Sequence, residues 1–215
     1  MLPDCRQEHF VWQHEKALAI ALDEVGRGPL AGPVVACAFC IVASGKIMPQ
    51  PPIPVKDSKA LSARQREQIA SWLKTVPEFA FAISFVSHTT IDVINIRQAS
   101  LRAMRFAVQK LEKKLKTKNK KVLLIDGVDL VPGIAHAQHA IIHGDAKVFS
   151  IACASIIAKV ARDAHMLRMA RRYPLYKFEM HKGYGTKQHR ALIKKHGLSP
   201  IHRVTFSAKF AKRAY

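Results

Sequence analysis

The arrangement of apolar residues along the chain predicts a succession of buried strands and one-sided helices. Residues 17–22 (Ala-Leu-Ala-Ile-Ala-Leu) form an apolar run that reads as a buried strand, stopped abruptly by Gly26, Gly28 and Pro29. Residues 33–42 read as a second buried strand, joined to the first by a tight glycine-proline turn. A proline-rich link over 49–54 leads to Lys56-Asp57-Ser58-Lys59. Ser62-Ala63-Arg64-Gln65 then has the form of a capping box opening a helix to about Val76. Residues 78–86 alternate as a strand. Thr89 or Thr90 is placed to cap a long helix whose apolar positions Ile94, Leu101, Met104, Val108, Leu111 and Leu115 follow helical spacing.

Val122-Leu123-Leu124-Ile125 is short and wholly apolar, as in a strand buried on both faces, and ends at Asp126-Gly127. Residues 138–142 form another candidate strand before His143-Gly144-Asp145. A long helix is expected over 149–172, with Ala152, Ile156, Val160, Ala164 and Leu167 on one side. Ser155, Lys159 and Asp163 recur at intervals of four on the adjoining face and project together. Thr186 is placed to cap a last amphipathic helix ending near Gly197. The expected organisation is α/β: a short N-terminal extension over 1–16, one sizeable core over 17–172, and a basic C-terminal helical segment over 173–215.

Charge narrows the partner. The 215 residues hold 35 Lys and Arg against 15 Asp and Glu, a formal net charge of +20, so a polyanion is implied, a nucleic acid ahead of an anionic membrane. Residues 161–215 concentrate the excess, with 14 Lys or Arg facing only Asp163 and Glu179. No apolar run approaches the ~20 residues that cross a bilayer, and the first 16 residues lack the pattern of a secretion signal, so a cytoplasmic protein is expected. Cys5, Cys37, Cys40 and Cys153 are too dispersed for a disulfide framework. Cys37 and Cys40 alone make only half a metal site, and on a strand they would face opposite sides.

Candidate chemistry lies in the acids. Asp23, Glu24, Asp126 and Asp145 each fall at or just after the end of an expected strand, and a mostly parallel sheet brings such ends to one edge. Four converging carboxylates either hold protons or surround cations, and oxygen-only ligation favours Mg²⁺ or Mn²⁺ over zinc. In a basic protein such a site suits attack on a phosphodiester by two ions about 3.5–4 Å apart. Capping of a helix is the competing role for Asp145. Asp163, in register with Ser155 and Lys159, is a possible support for the site, while Lys59 and Lys159 are candidates to contact phosphates or tune the acids.

These residues resemble a known family. Residues 23–36 (Asp-Glu-Val-Gly-Arg-Gly-Pro-Leu-Ala-Gly-Pro-Val-Val-Ala) are similar to the opening motif of type 2 ribonucleases H, the ribonuclease HII enzymes. Residues 56–62, Ile125-Asp126-Gly127, His143-Gly144-Asp145, residues 154–163 and residues 181–186 match successive family segments in order. The resemblance spans 17–206 and implies a ribonuclease H-like mixed sheet flanked by helices, with a C-terminal helical segment. It implies cleavage of the RNA strand of RNA·DNA hybrids and of single ribonucleotides embedded in duplex DNA, with no membrane partner and a monomeric enzyme expected.

Carried over residue by residue, the metal-binding tetrad falls on Asp23, Glu24, Asp126 and Asp145, and Asp163 corresponds to an accessory acid. The Gly26-Arg27-Gly28 turn would meet the ribonucleotide's 2′-hydroxyl and adjacent phosphate, and Tyr184 would stack on the sugar at the RNA to DNA junction. Lys59, Ser155, Lys159 and Lys182 complete the expected substrate contacts. The link over 47–54 is longer than a minimal hairpin, and the tail after Thr205 matches nothing in the family pattern. A non-catalytic basic nucleic-acid-binding protein is the alternative the charge alone would support, and a different nuclease of the same broad fold is another.

Overall fold

The computed structural model describes residues 2–42, 50–115 and 117–211. Part of the long link, including Pro49, and the tail beyond Ala211 lie outside the described residues. Five strands form one mixed sheet: β1 (Leu18–Val25), β2 (Val34–Ile41), β3 (Phe79–Val86), β4 (Lys121–Asp126) and β5 (Ala137–Ile141), in the order β3-β2-β1-β4-β5. β1, β2 and β3 pair antiparallel, whereas β4 runs parallel to β1, and β5 parallel to β4. The helices are α1 (Arg6–His14), α2 (Ala63–Thr75), α3 (His88–Leu115), α4 (Phe149–Arg172), α5 (Phe178–His181), α6 (Lys187–His196) and α7 (Val204–Ser207). Among the described residues no helix is long and apolar enough to cross a membrane.

The period of two along each strand sorts side chains between two helical layers. Leu18, Ile20 and Leu22 of β1 join Leu101, Met104, Val108 and Leu111 of α3 on one face. On the other face Ala19 and Ala21 pack with Ile151 of α4, and Phe39 and Ile41 of β2 pack with Ile69 and Leu73 of α2 and Ile156 of α4. Cys37 belongs to the α2 and α4 face and Cys40 to the α3 face, so the two thiols share no site.

Local signals account for most boundaries. The Ser62 hydroxyl accepts the Gln65 N–H at 3.2 Å while Gln65 Oε1 accepts the Ser62 N–H at 2.9 Å, a reciprocal cap that contributes about 1 kcal/mol to α2. Thr186 caps α6 by accepting the His189 N–H at 3.2 Å, and Gly197 closes it with φ +76°.

Three features differ from expectation. The connection from β1 to β2 is a loop over 26–33, not a tight turn. At the start of α3 the cap is Ser87, whose hydroxyl accepts the Thr90 N–H at 3.1 Å; Thr89 and Thr90 only place their hydroxyls against it. That helix is also broken at Asn95 (φ 63°, ψ 167°), whose side chain accepts the Gln98 N–H at 3.1 Å and so caps the second segment. The N-terminal residues carry structure of their own. In α1 the buried Glu8 carboxylate accepts the Ser150 N–H at 2.8 Å, placing its charge at the N-terminus of α4, and Val11 joins the core beside Ala17 and Ile151.

Candidate active site

Adjacent acids on a strand point to opposite faces, and this divides the Asp23-Glu24 pair. Asp23 follows Ala19 and Ala21 toward α4, where Ser155 hydrogen-bonds its carboxylate. Glu24 follows Leu18, Ile20 and Leu22 toward the α3 side. Both lie inside β1, opposite Cys37 and Ala36 of β2, rather than beyond its end. The parallel register pairs Leu22 with Ile125, so the next residues, Asp23 and Asp126, stand side by side. Asp145 comes from the short 3-10 turn over Gly144–Ala146, between β5 and α4. Gly144 lets that turn approach: its N–H donates to Asp126 Oδ1 at 2.7 Å, and a Cβ there would sit 2.7 Å from Ile151 Cδ1.

A cleft of about 280 Å³ is lined by all four acids together with residues 25–28, Ser58, Lys59, Ser155, Lys159 and Tyr184. Burial pushes the Asp23 carboxyl well above its usual range, and the charges of Glu24, Asp126 and Asp145 push further in the same direction. Glu24 is raised by burial, with the Arg27 guanidinium 3.2 Å away opposing the rise. Asp145 is raised by burial and by Asp126 and Asp57, against the pull of Lys59, whose Nζ lies 3.6 Å from Oδ2. Burial works against the charge of Lys59, yet Asp145, Asp57, Asp23 and Asp126 hold its pKa above the ordinary value.

Such a cleft is a sink for positive charge, and its donors are all hard oxygens, the set that suits Mg²⁺ or Mn²⁺. Among the described residues no three acidic, histidine or cysteine side chains are already gathered tightly enough to cage an ion.

The remaining residues divide between two clefts. Ser155 donates toward Asp23, lies 2.9 Å from the Ser58 hydroxyl and lines the cleft beside the acids. Asp163 is not among the residues around the acids. It holds Lys159 Nζ at 2.8 Å and lines a neighbouring cleft with Ala63, Arg66, Glu67 and Lys182. Lys182 likewise lines that second cleft, its ammonium donating to the Glu179 carbonyl, and Lys159 borders both. The Lys159 ammonium also lies 5.8 Å from the Tyr184 ring centroid.

Two buried arginines that the sequence did not single out build the loop over 26–33. Arg203 is fully buried and donates to the carbonyls of Gly26 (2.6 Å), Arg27 (2.8 Å) and Gly32 (3.0 Å). Arg162, also fully buried, donates to those of Pro33 (3.0 Å), Lys182 (3.0 Å) and Ala31 (3.1 Å), and its guanidinium lies 5.7 Å from the Tyr184 ring centroid. Burial, then the charge of Arg162, lowers the Arg203 pKa to about 9, which leaves it cationic at neutral pH. All peptides here are trans, so carbonyls of residues 26 and 27 turned toward Arg203 direct the N–H groups of Arg27 and Gly28 away from it. The Arg27 side chain is half exposed and Tyr184 is 39% exposed, so both present themselves at the cleft.

A sheet of this order with acids along its central strands defines the ribonuclease H-like nucleases, and the solved structures agree. A ribonuclease H2 from Pyrococcus horikoshii OT3 superposes with a TM-score of 0.73 at 26% identity, covering 91% of this chain and 98% of its own. Bst-RNase HIII in complex with Mn²⁺ shares the fold at a TM-score of 0.68 and 20% identity, over 90% of this chain and 69% of that one. In sequence, the ribonuclease HII of Endomicrobium trichonymphae is 47% identical over 186 residues, 86% of this chain and 83% of the relative. That of Chlorobium luteolum is 42% identical over 209 residues, 96% of each. The ribonuclease HII family model matches residues 20–209, and the chain belongs to that family. It is therefore a nuclease of the ribonuclease H type.

Proposed function

We propose that this chain hydrolyses the RNA strand of RNA·DNA hybrids and cuts 5′ of single ribonucleotides embedded in duplex DNA, leaving 5′-phosphate and 3′-hydroxyl ends. The observation that carries the proposal is one cleft lined at once by Asp23, Glu24, Asp126 and Asp145 and by residues 26–28 and Tyr184. In this reading the four carboxylates hold two Mg²⁺ or Mn²⁺ ions. When bound, the ions supply the charge that activates water and stabilises the leaving oxygen.

The chain's own groups do the positioning. Ser155 and the Glu24 N–H, 2.7 Å from Asp23 Oδ1, fix the Asp23 carboxylate, and the Gly144 N–H fixes that of Asp126. Lys59 offsets the charge of Asp145 while the cleft is open. Arg27 stands where its planar fork can leave Glu24 for a phosphate oxygen. The N–H groups of Arg27 and Gly28, turned away from Arg203, serve as donors for a 2′-hydroxyl, the only group that separates RNA from DNA at one nucleotide. Tyr184 offers a ring for the neighbouring sugar, and Lys159, braced by Asp163, and Lys182 extend the cationic surface along the strand.

The core over 17–172 carries the chemistry in this proposal, the segment over 173–215 carries much of the substrate contact, and the working enzyme is a cytoplasmic monomer. A non-catalytic nucleic-acid binder has no use for four acids facing its own anionic ligand. The test is a DNA duplex with one ribonucleotide, incubated with the protein and Mg²⁺: a single nick 5′ of the ribonucleotide is expected. An intact strand under folding conditions refutes the proposal.

A further inference from the structure

Behind Tyr184 lies a buried cluster of histidines that the proposed chemistry does not use. His189 and His202 are each at most 2% exposed, and His181 is 7% exposed. The ring of His189 stacks on His181 at 4.2 Å between centroids, and Phe178 meets all three within 6 Å.

The hydrogen bonds allow one assignment of protons. The Ser199 N–H points at His202 Nδ1 (2.8 Å), so that nitrogen accepts and His202 carries its proton on Nε2. His202 Nε2 lies 3.0 Å from His189 Nε2, which must therefore accept. His189 then carries its proton on Nδ1, and Nδ1 lies 2.9 Å from the Tyr184 carbonyl, which can only accept. The wire runs Ser199 N–H, His202, His189, Tyr184 C=O. Each ring is neutral, in agreement with burial that lowers both pKa values to about 4.

The same short segment clamps the other substrate-facing turn. The backbone of His202 bridges to Ala31, the Arg203 N–H donates to the Leu30 carbonyl at 2.8 Å, and the Arg203 side chain holds the carbonyls of Gly26, Arg27 and Gly32. Leu30 in turn donates its N–H to Gly183, next to Tyr184. We propose that residues 199–203 form a bracket that sets the spacing between the 26–28 turn and Tyr184. In it, His202 and His189 are positioning residues, locked in opposite tautomers, that act through the Tyr184 carbonyl. This rests on the reading of Tyr184 as the residue that meets the RNA to DNA junction.

The wire is tested without reference to activity by ¹⁵N-histidine NMR on the full chain near neutral pH. His189 should show the Nδ1–H form and His202 the Nε2–H form, with a scalar coupling between the two Nε2 atoms across their hydrogen bond. The same tautomer on both rings overturns the proposal. For function, His202→Phe keeps the ring volume and removes the donor. Its kcat/KM on a single-ribonucleotide duplex should fall about tenfold, the value of one hydrogen bond, and by less on a uniform hybrid. His202→Gln, which restores a donor, should recover most of that loss. The double variant His202→Phe/Tyr184→Ala should be no worse than Tyr184→Ala alone, and additive losses overturn the positioning role. If Tyr184→Ala itself lowers both substrates equally, the junction reading of Tyr184 fails, while the NMR result still decides the wire.

Discussion

Replacing Gly26 and Gly28 separately by alanine distinguishes the part of the loop that holds the fold from the part that meets substrate. Gly26 has φ +97°, and a Cβ on it would sit 2.3 Å from Arg162 Nε and 2.8 Å from the Pro33 carbonyl oxygen. The left-handed backbone alone costs an alanine roughly 1–2 kcal/mol. Relieving the clash moves a guanidinium that holds three backbone carbonyls, and losing even one such bond to a charged donor adds about 1.5–3 kcal/mol. For a chain of this size each kcal/mol lowers Tm by roughly 2–4 °C, so Gly26→Ala should melt on the order of 10 °C early.

At Gly28 nothing lies within 4 Å of an added Cβ, and φ is not in the left-handed region. Gly28→Ala should therefore melt within about 2 °C of the parent. Its methyl group nonetheless enters the cleft where the 2′-hydroxyl is proposed to sit, so cleavage of the single-ribonucleotide duplex should fall at least about tenfold, a loss of ~1.4 kcal/mol. Thermal melts followed by circular dichroism, paired with gel assays of cleavage, measure both. Equal melting temperatures for the two variants, or an unaltered Gly26→Ala melt, would refute the account of the loop.

Asp126→Asn is expected to abolish cleavage while binding to an RNA·DNA hybrid persists, since the cationic surface is untouched; cleavage at the parent rate would reject the assignment of Asp126. Asp23 supplies a test through stability. Its carboxyl binds a proton more tightly in the folded chain than in the unfolded one, so its contribution is favourable below the unfolded value near 4 and is lost as pH rises through the raised folded value. In chelator, Asp23→Asn should therefore be more stable than the parent, by a margin that grows with pH, and Mg²⁺ should raise the parent's Tm more than the variant's. A pH-independent margin in thermal melts would contradict the buried, crowded carboxylate.

Much of the sheet was legible because its signals are local. The apolar runs over 17–22 and 122–125 are short and closed by glycine signals, as buried strands are, and Ser62 with Gln65 announces α2 within four residues. The four acids were legible for the same reason, each lying beside a strand or turn signal, and the structure places all four around one cleft. The break at Asn95 was hidden because Ile91 and Ile94 keep the helical phase that Leu101 and Met104 continue, so only the backbone angle reveals it. Arg162 and Arg203 were illegible as architecture, since a buried arginine satisfied by carbonyls more than a hundred residues away leaves no local pattern. The histidine cluster escaped for a related reason: His181, His189 and His202 lie up to 21 positions apart in a basic segment, and only their burial and partners bring them together.

Arg203 also orders events during synthesis. Its guanidinium holds Gly26 from 177 positions away, so the acids of β1 and β4 leave the ribosome well before the residue that shapes the turn between β1 and β2. A nascent chain that has reached Asp145 already carries every carboxylate of the cleft. It has yet to acquire the clamp on residues 26–28, which fixes the surface proposed to recognise a ribonucleotide. The support for that proposed surface is thus the last part of the cleft's architecture to leave the ribosome, after every acid and after Tyr184.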